Sequence, residues 1–270
     1  MKLAAIQMVS GPELAANLAR ARHWMEAARA EGAELVALPE YFCLMGTADT
    51  DKLAIAEVDG EGPIQAMLAQ AARELGLWVI GGTLPIRTAQ PDKVRNACCV
   101  YAPDGSRAAR YDKLHLFRFD NGRERYDEGR VLEPGEAPVT LRAGPLKLGL
   151  SVCYDLRFPE LYRAMGAMGG GDPCDLLAVP AAFTYTTGQK HWELLLRARA
   201  VENLAYVIAP AQGGMHPNGR RTWGHSMIVD PWGEVLACLP EGEGLAIAEL
   251  DAPRMAALRA QLPALQHRRL

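Results

Sequence analysis

Three positions in this chain carry side chains that, brought together, could attack an acyl carbon: Glu40, Lys113 and Cys153. Cys153 closes the run Leu146-Lys-Leu-Gly-Leu-Ser-Val, short and rich in Leu and Val, which reads as a buried strand; from Asp155 to Arg163 the spacing turns helical. At such a junction the first helical N–H groups lack partners and the positive end of the helix dipole favours a thiolate over a thiol, which suits a nucleophile. A cysteine ending an apolar strand is ordinarily a small buried hydrophobe, so the assignment needs company. Glu40 directly follows Pro39 at the end of Glu34-Leu-Val-Ala-Leu-Pro, which would project its carboxylate from a sheet's end, where open α/β sheets place their sites. Lys113 closes a hairpin in Tyr111-Asp-Lys-Leu-His115. Singly, a strand-end Glu or Lys is a solvated surface group. Together the three supply a nucleophile, a general base and a cation, the equipment for attack on an amide or nitrile carbon.

The elements that must hold these ends follow an alternating pattern. The spacing predicts a strand over Leu3 to Met8, a helix over Pro12 to Ala30 and a short buried strand over Glu34 to Glu40, and strand, helix and parallel strand in succession indicate an α/β layered fold. A helix over Pro63 to Gly76 and a strand over Leu77 to Thr83 come next; Asn96 to Tyr101 and Ala108 to Asp112 then flank an Ala-Pro-Asp-Gly turn as a hairpin. The second half repeats the order: strand Leu146 to Val152, helix Leu156 to Met168, strand Asp175 to Pro180, helix Gly188 to Asn203, then two strands around Asp230-Pro-Trp-Gly233. Asp175-Leu-Leu-Ala-Val-Pro180 echoes Glu34-Leu-Val-Ala-Leu-Pro39, so two similar layered halves are expected to pack together. Between them Leu114 to Gly135 is charged and without clear periodicity, the kind of long connection that is commonly functional. Trp192 and Leu195 fit the inner face of a helix, Trp232 and Gly233 a turn, and Cys98 and Cys99 a strand.

Composition excludes several classes. With 270 residues and 49% hydrophobic content, the chain can bury the core of one large domain, 1–270. A net charge of −3 with mixed signs gives no electrostatic reason to expect a nucleic acid or an anionic membrane as partner. Neither a signal peptide nor an apolar run of membrane-spanning length is found, which points to the cytoplasm. Six cysteines without a CxxC pair read there as free thiols, and six scattered histidines give no metal-ligand spacing.

Leu38-Pro-Glu-Tyr-Phe42, Tyr111-Asp-Lys-Leu-His-Leu-Phe117 and Cys153-Tyr-Asp-Leu-Arg-Phe-Pro-Glu160 resemble, in this order, the three motifs of the carbon-nitrogen hydrolases of the nitrilase superfamily, and the likeness runs over nearly the whole chain. The resemblance implies a four-layer αββα sandwich with Glu40 as base, Cys153 as nucleophile and Lys113 as oxyanion stabiliser. A second glutamate in the loop after the lysine corresponds to Glu128 in Tyr126-Asp-Glu-Gly, with Glu124 and Glu133 as the alternatives. On these roles the Cys153 sulfur attacks a carboxamide, Lys113 and the Tyr154 N–H hold the oxyanion, and ammonia leaves as a thioester forms. Glu40 serves both proton transfers, Glu128 and Glu40 offset the cost of burying Lys113, and no metal or organic cofactor is needed.

Tyr154 stands after the cysteine where true nitrilases are expected to have Trp-Glu, so an amide is favoured over a nitrile. Arg157, one turn beyond Cys153, suits a clamp on a substrate carboxylate, or else a salt bridge with Asp155 or Glu160 that shapes the turn. Ala182-Phe-Thr-Tyr-Thr-Thr-Gly188, His191 to Arg199 and Trp223 to Gly233 are similar to the Nit subgroup, whose amidases act on small anionic 2-oxo acids or their conjugates. That likeness implies Phe183 and Thr187 opposite Arg157 in the pocket, and His216, Arg220 and Arg221 either reaching a larger anionic substrate or forming a solvated turn. The subgroup usually has Asp after Phe117; Arg118 stands there, in a loop expected to border the pocket and alter substrate choice. The Nit amidase of deaminated glutathione is the leading expectation, omega-amidase on 2-oxoglutaramate or 2-oxosuccinamate the alternative. N-carbamoyl amino acid hydrolysis and a non-catalytic scaffold are the further readings, the last opposed by the complete Glu40, Lys113 and Cys153 set. Surplus apolar residues on the helices 159–168 and 192–203, with the family likeness, suggest a homodimer or higher homo-oligomer.

Overall fold

The computed structural model describes residues 1–166 and 171–269. Its first half runs β1 (Lys2–Gln7), α1 (Leu14–Ala30), β2 (Leu35–Ala37), a short α2 (Asp51–Ala54), α3 (Pro63–Leu75), β3 (Trp78–Ile80), β4 (Leu84–Arg87), β5 (Val94–Tyr101) and β6 (Arg107–Asp112). A hairpin of β7 (Arg118–Asp120) and β8 (Arg125–Asp127) leads into a 3-10 turn at Glu128–Arg130. The second half runs β9 (Val139–Ala143), β10 (Leu146–Leu150), a 3-10 turn at Cys153–Arg157, α4 (Pro159–Met165), β11 (Leu176–Ala178), α5 (Tyr185–Asn203) and β12 (Tyr206–Ala209). The hairpin β13 (Gly213–Met215) and β14 (Arg221–Trp223), then β15 (Ser226–Val229), β16 (Val235–Leu239), β17 (Gly244–Glu249) and α6 (Ala252–Gln261), follow.

Two large sheets result among the described residues, ordered β17-β1-β2-β3-β5-β4, with β6 on β5, and β16-β15-β12-β11-β10-β9, beside the two-stranded pairs β7-β8 and β13-β14. In each, three parallel strands (β1, β2, β3 and β10, β11, β12) are flanked by an antiparallel strand on either side, β17 and β5 in one sheet, β9 and β15 in the other. The echo between Glu34 to Pro39 and Asp175 to Pro180 thus reflects a repeated strand order. Period-2 alternation sorts the side chains: Leu3, Ala5, Leu35, Ala37, Ile80, Cys98 and Val100 join Leu148, Leu150 and Ile208 between the sheets. Ala4, Ile6, Val36, Leu38, Val79 and Cys99 face the other way, onto Met25, Ile64 and Leu68 of α1 and α3. Trp192 and Leu196 of α5 and Tyr162 of α4 join the core of the second sheet. The architecture is the expected αββα sandwich, each fully buried Leu, Ile or Val contributing about 1.5–3 kcal/mol against exposure.

The differences from the sequence reading have local causes. The helix expected from Leu156 begins at Pro159, because proline excludes its predecessor from helical φ/ψ and leaves Phe158 at φ −113, ψ 89. Its expected end at Met168 lies outside the described residues. Helix α5 starts at Tyr185 rather than Gly188, capped by the Thr184 side chain, which accepts from the Thr187 N–H. Part of the stretch 114–135 is a regular hairpin, with Arg118 opposite Asp127 and Phe119 opposite Tyr126.

Candidate active site

The ends of β2, β6 and β10 bring Glu40, Lys113 and Cys153 to one place, each reached within three residues of its strand. Lys113 is 1% exposed, and its Nζ donates to Glu40 Oε1 at 2.9 Å and to Glu128 Oε1 and Oε2 at 3.0 and 2.8 Å. The Glu40 carboxylate is fixed by the Asn96 side-chain amide on the same oxygen at 2.9 Å, and by the Ala182 N–H on the other at 2.9 Å. Glu128 opens the 3-10 turn after β8, where it accepts from the Tyr41 hydroxyl at 2.9 Å and the Phe117 N–H at 2.7 Å. Its sequence rivals are engaged elsewhere: Glu124 accepts from the Thr186 hydroxyl at 2.7 Å, and Glu133 pairs with Arg95. The glutamate that meets the lysine is therefore Glu128.

Burial works against the Lys113 charge, but Glu128 and Glu40 more than offset it and hold the ammonium pKa well above its ordinary range. For Glu128, burial is likewise opposed by the Lys113 charge and by hydrogen bonds from Lys113, Phe117 and Tyr41, which together keep its carboxyl below the usual range. Cys153 behaves otherwise. Burial first, then the Glu40 charge, push its thiol well above the ordinary value, and Lys113 recovers only part. The α-helix N-terminus expected at Cys153 is instead a 3-10 turn, and burial with the Glu40 and Glu128 charges works against a thiolate there while Lys113 favours one. Its backbone is also unusual, at φ 50, as is Tyr41 next to Glu40 at φ 57, the left-handed region that costs a non-glycine residue about 1–2 kcal/mol.

What fixes this elbow is Asp155, fully buried, which the sequence reading took only as a partner of Arg157. One carboxylate oxygen accepts from the Tyr111 hydroxyl at 2.7 Å and the Val152 N–H at 2.8 Å. The other accepts from the His115 N–H at 3.0 Å and meets His115 Nδ1 at 2.7 Å. Asp155 thus ties the turn carrying Cys153 to the segment carrying Lys113.

A narrow pocket opens over Cys153, Glu40 and Glu128, walled by Phe117, Tyr154, Arg157, Phe183, Thr187 and Arg220. Among the described residues Arg157 has no carboxylate within ion-pair distance: Asp155 is committed elsewhere, and the guanidinium meets only His191 Nδ1 at 3.2 Å and the faces of Tyr154 and Phe183, 5.7 and 5.5 Å from their centroids. Phe183 lies beside Arg157, not opposite it as expected. The Thr187 hydroxyl shares a hydrogen bond with Thr184 at 2.9 Å. The Tyr154 N–H has no partner among the described residues. Of the other basic candidates, only Arg220 reaches the cavity. His216 is buried between the Ser10 carbonyl and the Thr222 hydroxyl at 2.9 and 2.7 Å, and Arg221 stacks on Tyr185. Arg118 is exposed on β7, so the loop borders the cavity through Phe117 and not through the arginine. No described cluster of His, Cys, Asp or Glu is arranged to hold a metal ion, and no described helix is long and apolar enough to cross a membrane.

Comparison with known proteins identifies the family. The family model of the carbon-nitrogen hydrolases matches residues 2–260. A deaminated glutathione amidase of Synechocystis sp. is 43% identical over 269 residues, covering 98% of this chain and 97% of the relative. An omega-amidase of Xenopus laevis is 38% identical, covering 99% and 95%. Among solved structures, Saccharomyces cerevisiae Nit3, a member of branch 10 of the nitrilase superfamily, superposes with a TM-score of 0.88 at 32% identity, covering 100% of this chain and 97% of its own.

Proposed function

The chain belongs to the carbon-nitrogen hydrolase family, and within it we propose that it is a cysteine-dependent amidase for a small anionic 2-oxo acyl amide, deaminated glutathione in the first place. The observation that carries this reading is the uncompensated Arg157 guanidinium on the wall of the Cys153 cavity, which suits bidentate capture of a substrate carboxylate. The Synechocystis relative supports the choice of substrate. The Xenopus omega-amidase supports 2-oxoglutaramate as a second reading.

In the proposed reaction the Cys153 thiol gives its proton to Glu40 as the sulfur attacks the amide carbon. Negative charge gathers on the former carbonyl oxygen, which takes a hydrogen bond from the unpartnered Tyr154 N–H and one from Lys113 Nζ, the latter exchanged for one of its two contacts with Glu128. The carbon-nitrogen bond then breaks, Glu40 returns the proton to the departing amine, and a thioester remains. Water attacks the thioester with Glu40 taking its proton; collapse frees the carboxylic acid and restores the thiol. Glu128 keeps Lys113 charged and placed throughout. The amine released from 2-oxoglutaramate is ammonia, as the sequence reading expected, but from deaminated glutathione it is cysteinylglycine and not the ammonia expected there; 2-oxoglutarate is the common product.

The test is 2-oxoglutarate release from both substrates, with an N-carbamoyl amino acid and a simple nitrile alongside. Turnover of deaminated glutathione above all others is expected, with Cys153→Ala lowering it by at least about 10⁴-fold while the fold persists. Preference for 2-oxoglutaramate moves the protein to the second reading, and substantial Cys153→Ala activity overturns the mechanism. We propose also that the protein is cytoplasmic and that it self-associates, the latter supported by exposed Leu194 and Val201 on α5, with Trp232.

A further inference from the structure

Asn96, near the start of β5, grips two members of the triad at once. Its side-chain amide donates to Glu40 Oε1 at 2.9 Å, and its backbone carbonyl accepts from the Lys113 N–H at 3.1 Å. The residue is 2% exposed and held from both sides, paired with Pro85 of β4 while its neighbour Ala97 pairs with Asp112 of β6. Facing a carboxylate oxygen, the amide must present its N–H and not its carbonyl. A buried amide is costly unless it is hydrogen-bonded, and the remainder of the strand, Ala97 to Tyr101, is apolar and buried. The strand core therefore gives no packing reason for an asparagine here, whereas the Glu40 carboxylate does.

The two oxygens of that carboxylate are not equivalent. Oε1 accepts from Lys113 Nζ at 2.9 Å as well as from Asn96, and these two donors fill its in-plane lone pairs. Oε2 accepts from the Ala182 N–H at 2.9 Å, with no second protein donor among the described residues, so it keeps a lone pair. The same N–H also bears on the Cys153 sulfur, where it favours the anion, and this puts Oε2 on the nucleophile's side. A proton on Oε1 would have to displace the amide N–H or meet the ammonium. On Oε2 it meets neither.

We propose that Asn96 is a positioning residue for the acid–base work of Glu40: by filling the second lone pair of Oε1, it confines the travelling proton to Oε2. In acylation the sulfur–hydrogen bond breaks as an oxygen–hydrogen bond forms at Oε2. The same proton then passes to the nitrogen as the carbon–nitrogen bond breaks. Without the amide, the carboxyl group can turn about its contact with Lys113 and carry its proton on the oxygen that faces away from the reaction. The inference rests on the reading of Glu40 as base and Cys153 as nucleophile, and adds to it the atom that holds the proton and the residue that selects that atom.

The experiment compares two leaving groups on one acyl half: whichever of the two amides above is turned over faster, and the p-nitrophenyl ester of the same 2-oxoglutaryl group. The amine must be protonated to leave, whereas nitrophenolate leaves without a proton, and kcat/KM reports acylation for both. Asn96→Leu, similar in volume and without a donor, is expected to lower kcat/KM about tenfold to a hundredfold on the amide and about threefold or less on the ester. Asn96→Ser, too short to reach Oε1 and too small to crowd its neighbours, is expected to show the same disparity, and it carries the comparison should Asn96→Leu not fold. Equal losses on the two substrates, the mark of a site merely deformed, overturn the proposal. So does undiminished turnover of the amide. Wild-type silence on both substrates, or substantial turnover by Cys153→Ala, strikes the underlying reading of the triad instead, and the proposal falls with it.

Discussion

Lys113 between Glu40 and Glu128 makes a trio with one more negative charge than positive when both carboxylates are ionised, and Cys153 sits beside it. A thiolate there would be one more anion in a buried site, so on the proposed mechanism the sulfur rests as a thiol and gains its nucleophilicity as its proton moves to Glu40. Reaction with iodoacetamide in the absence of substrate should therefore keep accelerating above pH 9 instead of levelling off near neutrality, as a preformed thiolate would. Glu40→Gln, by removing the adjacent charge, should move that profile to lower pH. The measurement belongs in a Cys238→Ser background, since Cys238 is the exposed thiol, whereas Cys43, Cys98, Cys99 and Cys174 are buried. A plateau at neutral pH would restore the thiolate picture. The linkage has the matching sign. With a raised folded-state value, the neutral thiol adds to stability below the unfolded value of about 8.5, and that contribution fades as pH climbs beyond it.

At the scale of elements, the decisive joint is between the end of β10 and the segment after β6, closed by Asp155. Asp155→Ala strands the Tyr111 hydroxyl and the Val152 and His115 N–H groups, for an expected loss of about 3–5 kcal/mol in urea unfolding. Asp155→Asn keeps the shape and should cost less stability, yet lower kcat, because an amide cannot accept all four contacts and the Cys153 turn loosens. Unchanged kcat in a folded Asp155→Asn enzyme would reduce the aspartate to scaffolding. This joint was not legible in the sequence, while the residues it positions were. Glu40, Lys113 and Cys153 announce themselves because each ends an apolar or alternating run with a chemically distinct residue. Asp155 sits among polar neighbours, and its partners, 40 and 44 residues away, are known only once the chain has folded. β17 escaped for a similar reason: it pairs with β1, nearly the whole chain away, so no local pattern announces the match. The β7–β8 hairpin was missed because three-residue polar strands show no periodicity.

For the molecule as a whole, the site exists only when the two halves are docked. Glu40 comes from the first half, and the N–H that fixes its second oxygen, that of Ala182, from the second; Cys153 likewise meets Lys113 only across the two sheets. The strand echo in the sequence announced two similar layers, but not that each would be catalytically empty alone. The left-handed backbone at Cys153 adds a conflict of interest within the protein. Glycine adopts φ 50 without strain, so Cys153→Gly is expected to unfold about 1 kcal/mol later than Cys153→Ala, readable as a higher melting temperature, with no activity in either. Equal melting of the two variants would mean the turn carries no strain. Selection for durability alone would favour glycine at position 153, so a library screened only for heat resistance should discard the enzyme's reactive atom among its first gains.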